Sequence, residues 1–351
     1  MRKKLPMGLT LAALLALAGC SQSNETATGA SVSNDEVTTL RLSHLWPATS
    51  AAHTEIIEPW AKKIEADSNG RIKVEIYPSA TLSKPDATYE AAAKGTIDIG
   101  TQLQGYTNGR FPLTQVAELP GLSSSATQMN CMLQTLYDEG VIAQEYDDTH
   151  LLFMMGTGPG GIHTVDRPIR KPSDLSGLRI RRPSAIAGDI IESAGGTPVG
   201  LPATDLYTSL QRGVLDGVSL TWDAMGAFRL IELTNTHTNI PFYSSAMMVT
   251  MNKNKYNNLP DDLKKVIDDN SGMAMAKAAG SVFDAQDKKY MAEAQEKGHT
   301  MINIPDPLND PQWKAPLEAG TKKYLNDVSA LGLDAQTVYQ KAQEASAACK
   351  V

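Results

Sequence analysis

The chain has 351 residues, with 39 acidic against 32 basic side chains and a net charge of −7. That balance argues against a basic nucleic-acid surface. Residues 37–351 exceed one comfortable core and predict two lobes.

The N-terminus reads as an export signal. Arg2, Lys3 and Lys4 precede an apolar run, residues 8–17, that is too short to span a bilayer. Leu17-Ala18-Gly19-Cys20 follows as a lipobox, which predicts cleavage before Cys20 and lipidation of its thiol. The alternative is a plain secreted protein cut near Ala18; the mass of the mature N-terminus separates the two. Residues 21–36 are small and polar and predict a flexible tether. No later stretch is long and apolar enough to cross a membrane.

Residues 39–45 alternate apolar and polar side chains, as a half-buried strand does. A helix carrying Ile56, Ile57, Trp60 and Ile64 on one face comes next, then a turn at Asn69-Gly70 and a strand over 72–76. A helix over 86–94 stops at Gly95, before Thr96-Ile97-Asp98-Ile99-Gly100. A further helix over 126–146 leads into an apolar strand at 151–155. The Gly-rich run 156–161 is the expected crossing into a second lobe; it lacks the Gly-Lys-Ser/Thr end of a phosphate loop. Beyond it, a strand over 178–182 ends at Pro183. A helix over 185–194, a break at Gly195-Gly196, an apolar strand and a second helix ending in Gln211-Arg212-Gly213 follow. The return crossing is expected near 243–248. Helical composition then runs from Pro260 to Gly298, on the order of 55 Å if unbroken, with kinks expected at Gly272 and Gly280. No internal repeat is evident.

Two signatures in this second half are specific when taken together. One is Gly177-Leu178-Arg179-Ile180-Arg181 followed by Pro183. The other is Tyr207, Leu210-Gln211, Gly213 and Asp216-Gly217. The chain resembles the DctP-type substrate-binding proteins of tripartite ATP-independent periplasmic (TRAP) transporters. Gly95-Thr96-Ile97-Asp98, Phe111-Pro112-Leu113 and Glu118-Leu119-Pro120 extend the likeness to the first half. The resemblance implies an α/β, two-lobed fold of the periplasmic-binding-protein kind (type II, Venus-flytrap) with a long helix touching both lobes. The expected division is signal peptide 1–19, tether 20–36, first lobe 37–157 plus about 246–285, and second lobe 158–245 plus about 286–351. It also implies a membrane permease as partner; the lipobox adds a lipid-held periplasmic location, the acidic balance argues against nucleic acid, and no cofactor is expected. A receptor for a sensor kinase would share the same cleft.

With Cys20 lipidated, Cys131 and Cys349 remain. Export allows a disulfide between them; the other reading is one buried and one exposed thiol.

Arg181 is the first candidate for the ligand, because a planar guanidinium offers two parallel hydrogen bonds to a carboxylate. Alternation puts Arg179 and Arg181 on one face of their strand and Arg182 on the other. The resemblance gives the carboxylate to Arg181 and an outward role to Arg179; an ordinary surface salt bridge is the competing reading. Polar positions used by the family's sialic-acid receptors fall here on Gly161, Leu220 and Leu103. Trp46, Tyr106, Trp222 and Phe242 stand near the expected cleft instead. That suggests a one-arginine pocket for a monocarboxylate with an apolar or aromatic body, although each aromatic is equally read as ordinary core. The Trp222-Asp223 step is similar to the pocket edge of keto-acid-binding members. Asp223 has three readings: a partner for a substrate hydroxyl, a cation ligand or a helix N-cap. His44 and His163 read as ligand donors or as buried structural histidines, and Gln104 and Ser184 complete the candidate set.

No pair among the six histidines has the spacing of a zinc helix, and G-x-S-x-G, H-E-x-x-H and Walker motifs are missing. An enzyme is therefore not expected. An exported hydrolase is the other-class alternative, and dicarboxylate, keto-acid and sugar-acid receptors are alternatives within the class.

Overall fold

A computed structural model describes residues 37–350. The export signal, Cys20 and the tether lie outside the described residues. The strands, in chain order, are β1 (Thr38–Ser43), β2 (Ile72–Tyr77), β3 (Ile99–Leu103), β4 (Thr149–Gly156), β5 (Gly160–Thr164), β6 (Arg179–Arg182), β7 (Thr197–Gly200), β8 (Gly217–Leu220), β9 (Thr236–Tyr243), β10 (Ala246–Asn252) and β11 (Thr300–Asn303). They form two mixed sheets, ordered β2-β1-β3-β10-β4 and β11-β9-β5-β8-β6-β7. Each sheet is the centre of one lobe. Among the described residues no helix is long and apolar enough to cross a membrane.

The chain passes between the sheets three times, once through the helical stretch from β10 to β11 and twice through short segments, β4 to β5 and β9 to β10. The two short segments lie side by side. They are bonded to each other: Thr157 N donates to the Ser245 carbonyl at 3.0 Å, and Ser245 N to the Thr157 hydroxyl at 3.0 Å. The glycines here serve close approach. A Cβ on Gly160 would lie 2.2 Å from the Tyr243 ring, far inside contact distance.

The two lobes share a local device that the sequence pattern hides. In the first, the Asp98 carboxylate accepts from Arg41 N at 2.8 Å and Arg41 Nε at 3.3 Å, just after Gly95 at φ +74°. In the second, Asp216 accepts from Arg179 N at 2.8 Å and Arg179 Nε at 3.0 Å, just after Gly213 at φ +65°. Each clasp ties a strand to its parallel neighbour, β1 to β3 and β6 to β8. The Gly-x-x-Asp spacing is the same in both, so the second signature is first of all a structural lock. The residue two places beyond the clasp arginine is Ser43 in one lobe and Arg181 in the other.

The expected long helix is present but shorter than drawn from sequence. Residues Asp261–Asp269 and Gly272–Glu296 form separate helices, and the break falls at Asn270-Ser271, with Gly272 at φ +68°. The second helix, 25 residues and roughly 37 Å long, runs through Gly280 without a break. The reason is packing: a Cβ there would sit 2.6 Å from the Thr127 backbone. Three residues apart, Asp284 and Asp287 hold one lobe each. Asp284 accepts from Ala126 N at 2.6 Å and Thr127 N at 3.0 Å, and Asp287 accepts from Asp223 N at 2.7 Å. The helix predicted over 126–146 ends at Asp138.

Cys131 and Cys349 are joined in a disulfide. It holds the last helix, Ala335–Ala348, against Ala126–Asp138 in the first lobe. The C-terminal segment therefore does not lie wholly with the second lobe, as its grouping in 286–351 would have it.

Candidate functional site

β6 carries Arg181 into the cleft between the lobes. The side chain is fully buried, at 0% exposure. Its Nε donates to the Leu201 carbonyl at 2.9 Å, Nη1 to the Ser219 carbonyl at 3.2 Å and Nη2 to the Tyr106 hydroxyl at 3.1 Å. No described carboxylate lies within ion-pair distance of it. A buried charge without a counter-charge is costly, so this guanidinium is arranged for an anion that the fold itself does not supply. Three of its five N–H groups are used. The two that remain sit one on each terminal nitrogen, the spacing of a bidentate carboxylate contact. Arg179, by contrast, is exposed and paired with Asp216.

Arg181 opens onto a narrow cavity of about 30 Å³, of the order of one water molecule. Any ligand larger than a water molecule must part the lobes to enter. Leu45, Trp46, Leu103, Leu220, Phe228 and Met247 supply the apolar wall, and Tyr106, Thr157, Thr221, Asp223, Tyr243 and Ser245 the polar groups. Four of the sequence candidates thus converge here: Arg181, Trp46, Tyr106 and Asp223.

Asp223 is not an N-cap. Its helix, Trp222–Ala227, starts one residue earlier, with Thr221 in the cap position. The Thr221 hydroxyl donates to the Asp223 carboxylate. Burial pushes the Asp223 carboxyl up to about 6. Burial first, and then the Asp223 charge, hold Asp287 well above the usual carboxylate range.

The other candidates lie elsewhere. Trp222 turns away from the cavity: its indole donates to Asn239 Oδ1 at 2.8 Å and packs on His163 and His237, with ring centroids 4.8 and 4.7 Å apart. It lines a separate groove of about 870 Å³ together with Asn239, Asp284 and Asp287. That groove is larger, but its lysines, Lys288 and Lys350, are exposed, so the buried unpaired cation places the candidate site in the smaller cavity. Phe242 is buried against Tyr243, and it is Tyr243 that reaches the cavity. Gln104 donates to the Tyr146 hydroxyl at 2.9 Å. Ser184 caps its helix, accepting from Ala187 N. His44 is buried against Trp46 and bonded to His53 at 2.9 Å; burial and then His53 push it down to about 3.

His163 begins a file of three histidines. Its Nε2 donates to the Leu220 carbonyl at 3.1 Å, and 2.9 Å contacts link His163 to His237 and His237 to His299. Burial pushes His163 down to about 4. The His163 ring is anchored on a carbonyl and the other two are held ring to ring, and among the described residues no group of three or more His, Cys, Asp or Glu is placed to hold a metal ion.

Sequence reasoning also passes over a buried carboxylate outside the cavity lining, Glu118. It is buried, accepts from Ala246 N at 3.2 Å through Oε1, and leaves Oε2 without a described partner. Burial pushes it up to about 7. The Glu118-Leu119-Pro120 run was the available signal.

Two α/β lobes joined by paired crossing segments, with an uncompensated cation facing the cleft, define a solute-binding protein. Comparison with known proteins identifies which kind. The chain belongs to the bacterial extracellular solute-binding protein family 7, DctP, whose model matches residues 42–327. Its relatives are transport proteins of the TRAP class rather than enzymes. A TRAP solute-binding protein from an unidentified marine microbe, specific for aromatic acids and solved with 3-hydroxybenzoate, is 32% identical. It covers 90% of this chain and 100% of its own, with a TM-score of 0.85. One from Rhodoferax ferrireducens with copurified benzoate is 29% identical, over 89% of this chain and 98% of its own, also at 0.85. One from Bordetella bronchiseptica with bound mandelate is 25% identical, over 89% of this chain and 100% of its own, at 0.81.

Proposed function

We propose that this chain is an extracytoplasmic receptor that binds an aromatic or apolar monocarboxylate through Arg181 and delivers it to a TRAP membrane permease. The observation that carries the reading is the fully buried Arg181 with two spare N–H groups and no protein counter-charge. The apolar wall built from Leu103, Leu220 and Trp46 supports an apolar body on the acid, as does the likeness to proteins solved with 3-hydroxybenzoate, benzoate and mandelate. One cation favours a monoacid over a dicarboxylate. Closure of the lobes over the ligand marks the loaded form for the permease. Lipidation of Cys20 would keep the receptor at the membrane, since a mature lipoprotein carries more than one acyl chain.

A thermal-shift screen of residues 37–351 tests the substrate class. It sets aromatic monoacids against short keto and hydroxy acids, dicarboxylates and sugar acids. A ligand at 100 times its Kd adds about 2.7 kcal/mol to stability, a readily visible shift. Stabilisation confined to sugar acids or dicarboxylates would discard the one-arginine reading, and no stabilisation by any acid would discard the receptor reading.

A further inference from the structure

We propose that Tyr106 couples carboxylate capture to lobe closure, its oxygen holding the second lobe while its phenol proton is kept for the ligand; this rests on the organic-acid reading above and adds the residue that senses the acid. Tyr106 belongs to the first lobe, at the end of the short turn Gln104–Tyr106 that follows β3. Both groups that its hydroxyl contacts belong to the second lobe: Arg181 Nη2 at 3.1 Å and the Ala203 backbone N at 3.0 Å. Both are obligate donors, so the phenol oxygen accepts twice. A phenol accepts about two hydrogen bonds and donates one. Its acceptor capacity is therefore filled by the opposite lobe, while its own proton has no acceptor among the described residues. The side chain lines the cavity onto which Arg181 opens.

A carboxylate docked on the two spare guanidinium N–H groups brings an oxygen beside Nη2, the nitrogen already bonded to Tyr106. That oxygen is the acceptor the phenol lacks. Donation from a cationic N–H and a backbone N–H polarises the phenol and makes it a stronger donor in turn. The O–H contact to ligand thus exists only when acid is bound and the lobes are together, so each event favours the other. A neutral ester offers one carbonyl oxygen and no charge to the same three donors, and gains much less.

The test compares wild type with Tyr106→Phe, which keeps the ring as cavity wall and removes the hydroxyl. Benzoate and methyl benzoate are the probes, with affinity read by calorimetry and closure by small-angle scattering at saturating benzoate. Wild type should close on benzoate and not on the ester. Tyr106→Phe should bind benzoate about 10- to 100-fold more weakly and remain measurably more open at saturation, a difference that mere loss of affinity would not leave. If Tyr106→Phe fails to melt cooperatively, Ala203→Pro removes one second-lobe donor instead. Proline suits the first position of a helical turn, and Pro202 already has the extended backbone, ψ 154°, that a following proline requires. It should likewise reduce closure at saturation. A variant that folds and closes like wild type on saturating benzoate overturns the latch and leaves the receptor reading standing. A wild type that neither binds nor closes on any acid overturns both.

Discussion

Replacing Arg181 with alanine probes the site most directly. The substitution removes the two spare N–H groups and the only cation lining the cavity. It leaves a bound carboxylate buried among Leu103, Leu220, Trp46 and Tyr106 without a partner. Truncating one side of a buried charged contact costs about 2–5 kcal/mol, which is roughly a 30- to 4,000-fold rise in Kd. Folding should suffer less than the loss of three hydrogen bonds suggests. The unfilled Leu201 and Ser219 carbonyls are destabilising, but removal of a buried uncompensated charge offsets part of that cost. Arg181→Lys separates charge from geometry: the ammonium keeps the charge and loses the planar fork, so its affinity should fall between the two. Calorimetric titration with benzoate reads all three proteins, and thermal melts confirm that each is folded. A Kd for Arg181→Ala within tenfold of wild type would refute the assignment.

Two further outcomes concern stability. Cys131→Ser opens a link across a sequence separation of 218 residues; it should cost about 2–5 kcal/mol and lower the melting midpoint, which an unchanged midpoint in oxidised protein would contradict. Asp223 has its folded pKa raised from 3.8 to about 6, so the folded state keeps a proton that the unfolded state releases. Stability from this group is present below the unfolded value and is lost as pH rises through about 6. Asp223→Asn should therefore gain on wild type between pH 4 and pH 7, by up to about 3 kcal/mol. Urea unfolding at several pH values measures the gain, and a difference independent of pH rules the cause out.

The fold was legible because chain-local signals agree with long-range ones, and Arg181 was singled out by the family signatures that flank it, since spacing alone favours a surface salt bridge. Arg181 lies between a strand signal and Pro183, and the Asp216-Gly217 pair that flags it is also the pair that locks its strand. The rest of the pocket was obscured by side-chain direction. Adjacent residues on a helix point about 100° apart, so Asp223 faces the cavity while Trp222 turns to the histidines. On a strand they point to opposite faces, so Tyr243 lines the site and Phe242 does not. Gly280 looks like a helix breaker locally, yet contact with the Thr127 backbone requires it inside the helix. The paired clasps share only Arg, Gly and Asp, too few letters to read as a repeat, and the Cys131–Cys349 pairing depends on a geometry that spacing does not supply.

The clasps have a consequence for how cargo is presented. Both lobes lock the same strand pair with the same arginine–aspartate contact, but the next inward position bears a guanidinium on one side and the Ser43 hydroxyl, engaged with Ser83 at 2.9 Å, on the other. A duplicated frame with a single charge gives the cleft a direction. If Arg181 takes the carboxylate as proposed, an acid would lie head toward β6 and tail toward β1, and every loaded molecule would offer its cargo to the permease in one orientation.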